Sequence, residues 1–404
     1  MPVFLTKALH ELQLLLLRVL LRILPSSPVP VILSGPGSAQ QLCRAIADSG
    51  LRSALVVTDR VLVQLGIVAP LVAELESRGI ACRVYDGIEP DPTHAQIEAG
   101  IAIVREARSE AVLAIGGGSP MDAAKIIAAC ASNGTRVADI VGNFRIRLHP
   151  LPIYAIPTTA GTGAEVTVAA VVTDTAARAK TPVVDGKLVP VMAALDGSLM
   201  TGLPRGVTAA SGMDALTHAV ESFLSRFANE RTRPLSIAAV RIVFRHLQRA
   251  CDAGEDLEAR QAMSLGACYA GLAFSRASVG YVHAIAHTLG GLYHTPHGLA
   301  NAIVLPHVLD FYREAAAEGL AELARVIGAG APSAGQQALA DAFIARVREL
   351  SRAVGVPPTL DALRAEDIPE IARRAMAEAQ GFYPVPRFMS RAQCESLLGG
   401  LLSR

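Results

Sequence analysis

The stretch AVLAIGGGSPMDAAK, residues 111–125, decides the reading of the fold. Ala111–Ile115 is an unbroken apolar run of strand length, as expected for a strand buried on both faces. Gly116-Gly117-Gly118-Ser119 follows at once, and Met121–Ala131 has helical spacing. Strand, glycine turn and helix together form half of a βαβ unit. The same alternation extends upstream. Strands are expected at Val29–Leu33, Ala54–Thr58 and Ala81–Tyr85, and helices at Gly37–Ser49, Val61–Arg78 and Thr93–Arg108. Downstream, Leu151–Ile156 reads as one more strand, and residues 165–200 read as extended segments and turns. After Gly206 the texture changes to long Ala/Leu-rich helical stretches, with breaks expected near Gly254, Gly280, Pro296, Pro306, Pro332 and Pro357. The pattern predicts an amphipathic helix over 1–27, an α/β domain with a parallel sheet over 28–204, and an all-helical domain over 205–404.

Composition narrows the function classes. Of 404 residues, 51 % are hydrophobic and 18 % charged, which excludes a disordered chain. Lys and Arg total 37 against 36 acidic residues, so no basic surface is available to track nucleic acid. With 4 % aromatics and no Trp, base-stacking platforms are also excluded. The six cysteines form no CxxC pair and suggest neither a disulfide scaffold nor a thiolate zinc site, so a reducing, cytoplasmic compartment is expected.

The segment from Val3 to Leu24 is very apolar, but Lys7, His10, Glu11, Arg18 and Arg22 interrupt it. Its longest unbroken leucine run, Leu14–Leu17, is far below the roughly 20 residues that span a bilayer. The charges also break any signal-peptide core. On a helical wheel Lys7, Glu11, Arg18 and Arg22 share one stripe and leucine covers most of the rest. Such a helix either docks on the protein's own core or a subunit interface, or lies on a membrane as a peripheral foot with Arg18 and Arg22 snorkelling. Pro25, Pro28 and Pro30 end it.

Two loops point to a phosphate-bearing ligand. Gly116–Ser119 lets a pyrophosphate approach the backbone at a helix N-terminus, although it is not GxGxxG and a ligand-free tight turn reads similarly. A second small, hydroxyl-rich loop, Pro157–Gly163, follows the strand at 151–156. Two such loops at strand ends suggest one anion-binding crevice. Asp59, at the end of the strand ALVVT, can accept from ribose hydroxyls and would repel a 2′-phosphate, favouring NAD; it also suits a helix N-cap, and the roles coexist.

Asp214 and His218 stand at i and i+4 on one helix face, as do His283 and His287. Residues 283–297 hold four of the ten histidines. One carboxylate with two or three imidazoles and an open position suits a catalytic divalent metal, Fe(II) or Zn(II).

From about residue 30 onward the chain resembles the iron-containing (type III) alcohol dehydrogenases. The resemblance is densest in AIGGGSPMDAAK (114–125), IPTTAGTGAEVT (156–167), GMDALTHAVE (212–221) and VGYVHAIAHTLGGLYHTPHGLANAIVLPHV (279–308). It implies a Rossmann-like, dinucleotide-binding α/β domain beside an all-α metal-binding domain, in a dehydroquinate-synthase-like architecture. It also implies NAD with Fe(II), or Zn(II), as cofactors and a homodimer or higher homo-oligomer. The metal ligands it implies are Asp214, His218, His283 and His297. His287, one helical turn from His283, would relay protons or orient substrate, and Phe274 would line the substrate pocket. Asp59 would meet the adenosine ribose. Gly117, Gly118, Ser119 and Asp122 would hold the pyrophosphate, while Thr158, Thr159, Thr162 and Thr167 line the cofactor cleft. Lys180 would reach the nicotinamide ribose, with Leu199–Leu203 closing over the adenine. Asp91 joins the cofactor residues because PNPT of some members reads Pro90-Asp91-Pro92-Thr93 here. Small-diol members carry Asn where Ala169 stands, which favours apolar or medium-chain primary alcohols over small diols or lactaldehyde. The implied reaction is hydride transfer between alcohol and nicotinamide C4, with the metal between the domains. The rivals are a zinc glycerol dehydrogenase or a dehydroquinate-synthase-like lyase, a metallohydrolase, and a membrane-tethered assembly protein. The DAxxHAxE and TPHG motifs argue against the fold-mates, and paired phosphate loops would have no purpose in a hydrolase.

Overall fold

The computed structural model describes residues 3–23, 28–175 and 179–403. Its chain divides into two compact units, one α/β (Ser27–Leu203 with Gly254–Gly271) and one helical (Met1–Ser26, Pro204–Ala253 and Leu272–Arg404). The helical block read from the sequence as 205–404 is therefore interrupted, because 254–271 packs with the α/β unit. The N-terminal helix packs with the helical one.

In chain order the first unit contains β1 (Val31–Ser34), α2 (Ser38–Asp48), β2 (Ser53–Val57), α3 (Arg60–Gln64), α4 (Val68–Ser77) and β3 (Ala81–Tyr85). Then come α5 (His94–Ala107), β4 (Ala111–Gly116), α6 (Gly118–Asn133), α7 (Val137–Ile140), β5 (Gly142–Asn143) and β6 (Ile153–Pro157). The strands β7 (Ala169–Asp174), β8 (Ala179–Val184) and β9 (Met192–Leu195) complete it. Six strands form a parallel sheet in the order β1-β9-β6-β4-β2-β3. Both faces are covered. Leu55, Val57, Val112 and Ala114 join one core with α5 and α6, while Ala54, Val56, Leu113 and Ile115 join another with α2 and α4. This explains why β2 and β4 read as continuous apolar runs rather than alternating ones. The 165–200 region contains more order than the sequence reading assigned. β7 and β8 form an antiparallel hairpin extended by β5, and β9 enters the main sheet between β1 and β6.

The helix expected over Val61–Arg78 is two helices, because Gly66 leaves helical geometry at φ +73°. The helix expected from Met121 starts three residues earlier. Pro120 falls in its first turn, where a missing N–H costs nothing.

The helical unit is built from α1 (Val3–Ile23), α8 (Arg205–Leu224), α9 (Arg233–Asp252), the end of α10 (Leu257–Ala277) and α11 (Tyr281–Tyr293). It continues with α12 (His297–Tyr312), α13 (Ala317–Val326), α14 (Gln336–Ala353), α15 (Ile368–Phe382) and α16 (Arg391–Gly399). Pro306 does not end a helix as expected. It lies inside α12, where buried Leu305, Val308 and Leu309 pack well enough to hold the helix through the lost hydrogen bond.

The α1 helix is amphipathic as expected, and part of its polar stripe bonds to the rest of the helical unit. Glu11 makes two 2.8 Å bonds to the Arg226 guanidinium, Arg18 donates to the Arg226 carbonyl, and buried His10 meets the Gln380 carbonyl at 2.9 Å. Leu14 is buried, whereas Phe4, Leu5, Leu9, Leu12, Leu15 and Leu16 are exposed. Buried Leu14 and His10, with the Glu11–Arg226 pair, hold α1 to the unit. The Arg22 side chain and Pro25 lie outside the described residues. Among the described residues, no helix is long and apolar enough to cross a membrane.

Candidate metal centre

α8 carries Asp214 and His218 one turn apart. α11 carries His283, and the left-handed His294 followed by Pro296 turns the chain so that His297 opens α12. The close approach of α12 to α8 requires Gly298, since a Cβ there would lie 2.4 Å from the Ala210 carbonyl oxygen. Asp214, His218, His283 and His297 each offer a ligand atom within 4.8 Å of the others, and no other cluster of this kind is found among the described residues. His283 Nε2 and His297 Nε2 lie 3.9 and 3.6 Å from Asp214 Oδ1.

The donor chemistry fits a divalent cation. The single Asn301 amide nitrogen is met by Asp214 Oδ1 at 2.6 Å, His297 Nε2 at 3.1 Å and His283 Nε2 at 3.3 Å. An amide NH2 has two hydrogens for these three atoms, so at least one lone pair of the cluster stays unmet by it, which suits a cation among the four clustered donors. Burial, then the neighbouring His218, His297 and His287, pushes the His283 pKa well below the usual histidine range, leaving the neutral imidazole that ligates. Asp214, His218 and His283 are buried, while His297 is only partly so, and this leaves the site accessible from the His297 side.

A set of outer partners orients these ligands. Glu221, one turn beyond His218, accepts from His283 Nδ1 at 2.6 Å and from the Gly280 and Val282 N–H groups at 2.9 and 2.8 Å. Donation from Nδ1 leaves Nε2 as the free lone pair. Burial pushes the Glu221 carboxyl up to about 7 despite these bonds. Phe274 stacks on His218 with ring centroids 4.2 Å apart. His287 stacks on His297 at 5.2 Å and bonds Glu378 through Nδ1 at 2.7 Å, while the Tyr383 hydroxyl donates to the same Glu378 oxygen at 2.6 Å. Burial alone would raise the Glu378 carboxyl, but His287, Tyr383 and His297 together hold it below the usual range. Glu221 and Asn301 were legible as neighbours of ligands, at i+3 from His218 and i+4 from His297. Glu378 and Tyr383 carry no local signal, because they lie about ninety residues along the chain on α15 and just beyond it.

In the α/β unit the sheet order reverses between β2 and β4, which creates a crevice at their carboxyl ends. Asp59 lies two residues beyond β2 and caps α3, accepting from Leu62 N–H at 2.9 Å. Gly117 caps α6 without a side-chain bond, so the first-turn N–H groups of α6 remain available to an anion. The two loops meet, since a Cβ on Gly117 would contact Thr159 and one on Gly118 would lie 2.8 Å from Thr162. Ser119 Oγ accepts from Asp91 N–H, and Lys180 pairs with Asp91 at 2.6 Å. Thr158 is buried, and Leu199 and Leu203 are partly exposed around the short helix Gly197–Met200. Thr167 is buried and Asp122 is partly exposed. Asp122 accepts from Val171 N–H, and Thr167 takes up the buried Lys125 ammonium with its hydroxyl and carbonyl. Burial pushes Asp122 up to about 6 and Lys125 down to about 8.

Comparison with known proteins agrees with this geometry. Residues 30–197 match the model described as iron-containing alcohol dehydrogenase, and residues 208–402 match the C-terminal model of the Fe-containing alcohol dehydrogenase family. The chain belongs to the iron-containing alcohol dehydrogenase family, and it is an NAD-linked oxidoreductase of alcohols and aldehydes with NAD and iron as cofactors. It is 40 % identical to lactaldehyde reductase of Escherichia coli K12 over 347 residues, covering 85 % of this chain and 90 % of that one. It is 34 % identical to the NAD-dependent methanol dehydrogenase of Bacillus methanolicus over 351 residues, covering 86 % and 92 %. The crystal structure of a 1,3-propanediol oxidoreductase superposes with a TM-score of 0.90 at 35 % identity, covering 93 % of this chain and 99 % of that one. α1 precedes both matched segments.

Proposed function

We propose that this enzyme interconverts primary alcohols and aldehydes of apolar, medium-chain character, with hydride passing between the substrate carbon and nicotinamide C4. The observation that carries this reading is Phe274 stacked on the ligand His218, which sets an apolar face beside the position of the substrate oxygen. Iron held by Asp214, His218, His283 and His297 supplies Lewis acidity to that oxygen. His287 handles the proton. Its Nδ1 donates to Glu378, so Nε2 is free to accept the hydroxyl proton of an alcohol or, protonated, to return it to the product of aldehyde reduction. Glu378, tied to Tyr383, holds the ring in that tautomer.

Asp59 binds the adenosine ribose. Gly117, Gly118 and Ser119 hold the pyrophosphate at the α6 N-terminus, with Thr158, Thr159 and Thr162 along the cleft. Asp122 joins them at the pyrophosphate and Thr167 along the cleft, with Val171 N–H bracing Asp122 and buried Lys125 bracing Thr167. Asp91 and Lys180 act as a pair at the nicotinamide ribose, and Leu199 and Leu203 cover the adenine. A second reading, small diols or hydroxyaldehydes, is favoured by the similarity to lactaldehyde reductase and a 1,3-propanediol oxidoreductase. NADH formation by the iron-loaded enzyme across primary alcohols from ethanol to dodecanol, with 1,2-diols alongside, decides between them. Turnover rising with chain length supports the apolar pocket, and preference for diols refutes it.

We further infer a cytoplasmic homodimer or higher homo-oligomer that touches the membrane peripherally through residues 3–24. The exposed leucines of α1 support this reading. Leu12→Glu with Leu16→Glu, both solvent-exposed, should abolish co-sedimentation with vesicles while leaving sedimentation-velocity mass and turnover intact. Vesicle binding that survives the change refutes the membrane reading.

A further inference from the structure

One polar side chain at the metal centre is neither a ligand nor a partner of Glu221 or Glu378. Asn301 lies on α12, one turn beyond His297, and is fully buried. Asparagine is a weaker helix former than leucine, and a buried amide is costly unless its polar atoms are met. An apolar residue would fill this place at lower cost. What the amide supplies is a donor.

The ligands set its orientation. Nδ2 faces Asp214 Oδ1 at 2.6 Å, His297 Nε2 at 3.1 Å and His283 Nε2 at 3.3 Å, while Oδ1 is buried and meets no partner in the protein. Turned over, the amide would set its own oxygen against a carboxylate oxygen and beside the His283 Nε2 lone pair. No proton relieves that second contact, because Glu221 holds the ring proton on Nδ1. Keeping the NH2 on the ligand cluster thus leaves Oδ1 unmet, an exception among buried polar atoms that points to function.

The three contacts differ in what a cation does to them. An imidazole Nε2 has one lone pair, which goes either to the amide or to a cation. A carboxylate oxygen has two, so Asp214 Oδ1 can ligate and still accept from Nδ2. The shortest of the three bonds is therefore the one that persists when the site is loaded, and it is charge-assisted. Among the described residues, Asn301 is the donor that meets the Asp214 carboxylate; Asp214 Oδ2 lies 3.9 Å from His218 Nδ1.

We propose that Asn301 is a positioning residue for the metal. One amide hydrogen fixes the Asp214 carboxylate with Oδ1 beside the two imidazoles. The other is shared between His283 and His297 until a cation takes their lone pairs. This rests on the reading that Asp214, His218, His283 and His297 hold the iron. Without the amide, the carboxylate turns about its Cβ–Cγ bond and the cation must order it on binding.

The test uses the full chain stripped of metal, with folding confirmed by circular dichroism. Asn301→Leu replaces the amide by a branched apolar group, and Asn301→Ala removes it without adding bulk. Each is titrated with Fe(II), and with Co(II) as a visible-absorption probe, against a competing chelator. Loss of the outer-shell bond should weaken both cations roughly 10–100-fold in each variant. The Co(II) bands, which report the ligand field, should change with it. A merely structural role would lower the urea midpoint of the metal-free protein and leave the affinity of the folded protein where it is. Affinity within twofold of the unmodified protein, or tighter, overturns the proposal whatever the urea midpoint. Asn301→Ala decides if Asn301→Leu fails to fold. An unmodified protein that takes up neither cation refutes the iron site and the proposal with it; one that binds both, with variants that match it, refutes the proposal alone.

Discussion

Replacing Glu221 by Gln tests how the iron site is held. Three donors converge on this carboxylate: Val282 N–H on one oxygen, and Gly280 N–H with His283 Nδ1 on the other. An amide has one oxygen and one NH2 group. If its oxygen faces Gly280 and His283, its NH2 opposes the Val282 N–H at the start of α11. If it is flipped, the NH2 opposes His283 Nδ1, and the ring must move its proton to Nε2, the atom that ligates. The first choice loses a bond to a charged group, worth about 1.5–3 kcal/mol, and the second blocks a ligand. Outer-shell losses of this kind lower metal affinity roughly 10–100-fold. Chelator competition followed by iron quantification reads the affinity directly, and circular dichroism confirms folding. A folded Glu221→Gln enzyme that binds iron within twofold of the unmodified protein refutes the claim that Glu221 sets the His283 tautomer.

Further outcomes follow from the same geometry. Glu378→Gln should lower kcat by about 10²–10⁴ while leaving iron content unchanged, since its target is His287 rather than a ligand; equal loss of iron would show a structural role instead. Gly298→Ala drives a methyl group into the Ala210 carbonyl, a backbone atom that cannot swing away, and should destabilise the protein by about 1–3 kcal/mol in thermal melts, with iron lost in parallel. Burial pushes Glu165 from 4.5 up to about 7, so the native state binds more protons than the unfolded chain between these values. Stability therefore falls as pH rises through that window, by about 3 kcal/mol for the full shift, and Glu165→Gln should flatten the slope in urea titrations. Lys125, depressed to about 8, acts with the opposite sign, adding stability as pH rises from about 8 towards its unfolded value; Lys125→Met should remove that rise.

The parts legible from sequence were those set by local pattern. Continuous apolar runs marked β2 and β4 because both faces of a parallel sheet are covered. Candidate ligands were legible because Asp214 and His218 share i, i+4 spacing and histidines crowd residues 283–297, whereas the choice of His283 and His297 came with the family resemblance and only the packing of α12 on α8 brings the four donors together. Where long-range packing decides, the reading failed. Pro306 stays helical because the surrounding core outweighs its local cost, and β9 joins the sheet through pairing with β1 and β6, which nothing in Met192–Leu195 announces. Only tertiary structure could bring Glu378 and Tyr383 to His287, or set Val171 against Asp122 and Lys125 against Thr167. It also decided how α1 sits on the helical unit. The wheel separates leucines from charges, but which side faces inward depends on Arg226 and Gln380, more than two hundred residues away, offering partners for charge and hydrogen bond. Periodicity is a property of the segment, whereas the partner that satisfies a buried polar atom is a property of the whole fold.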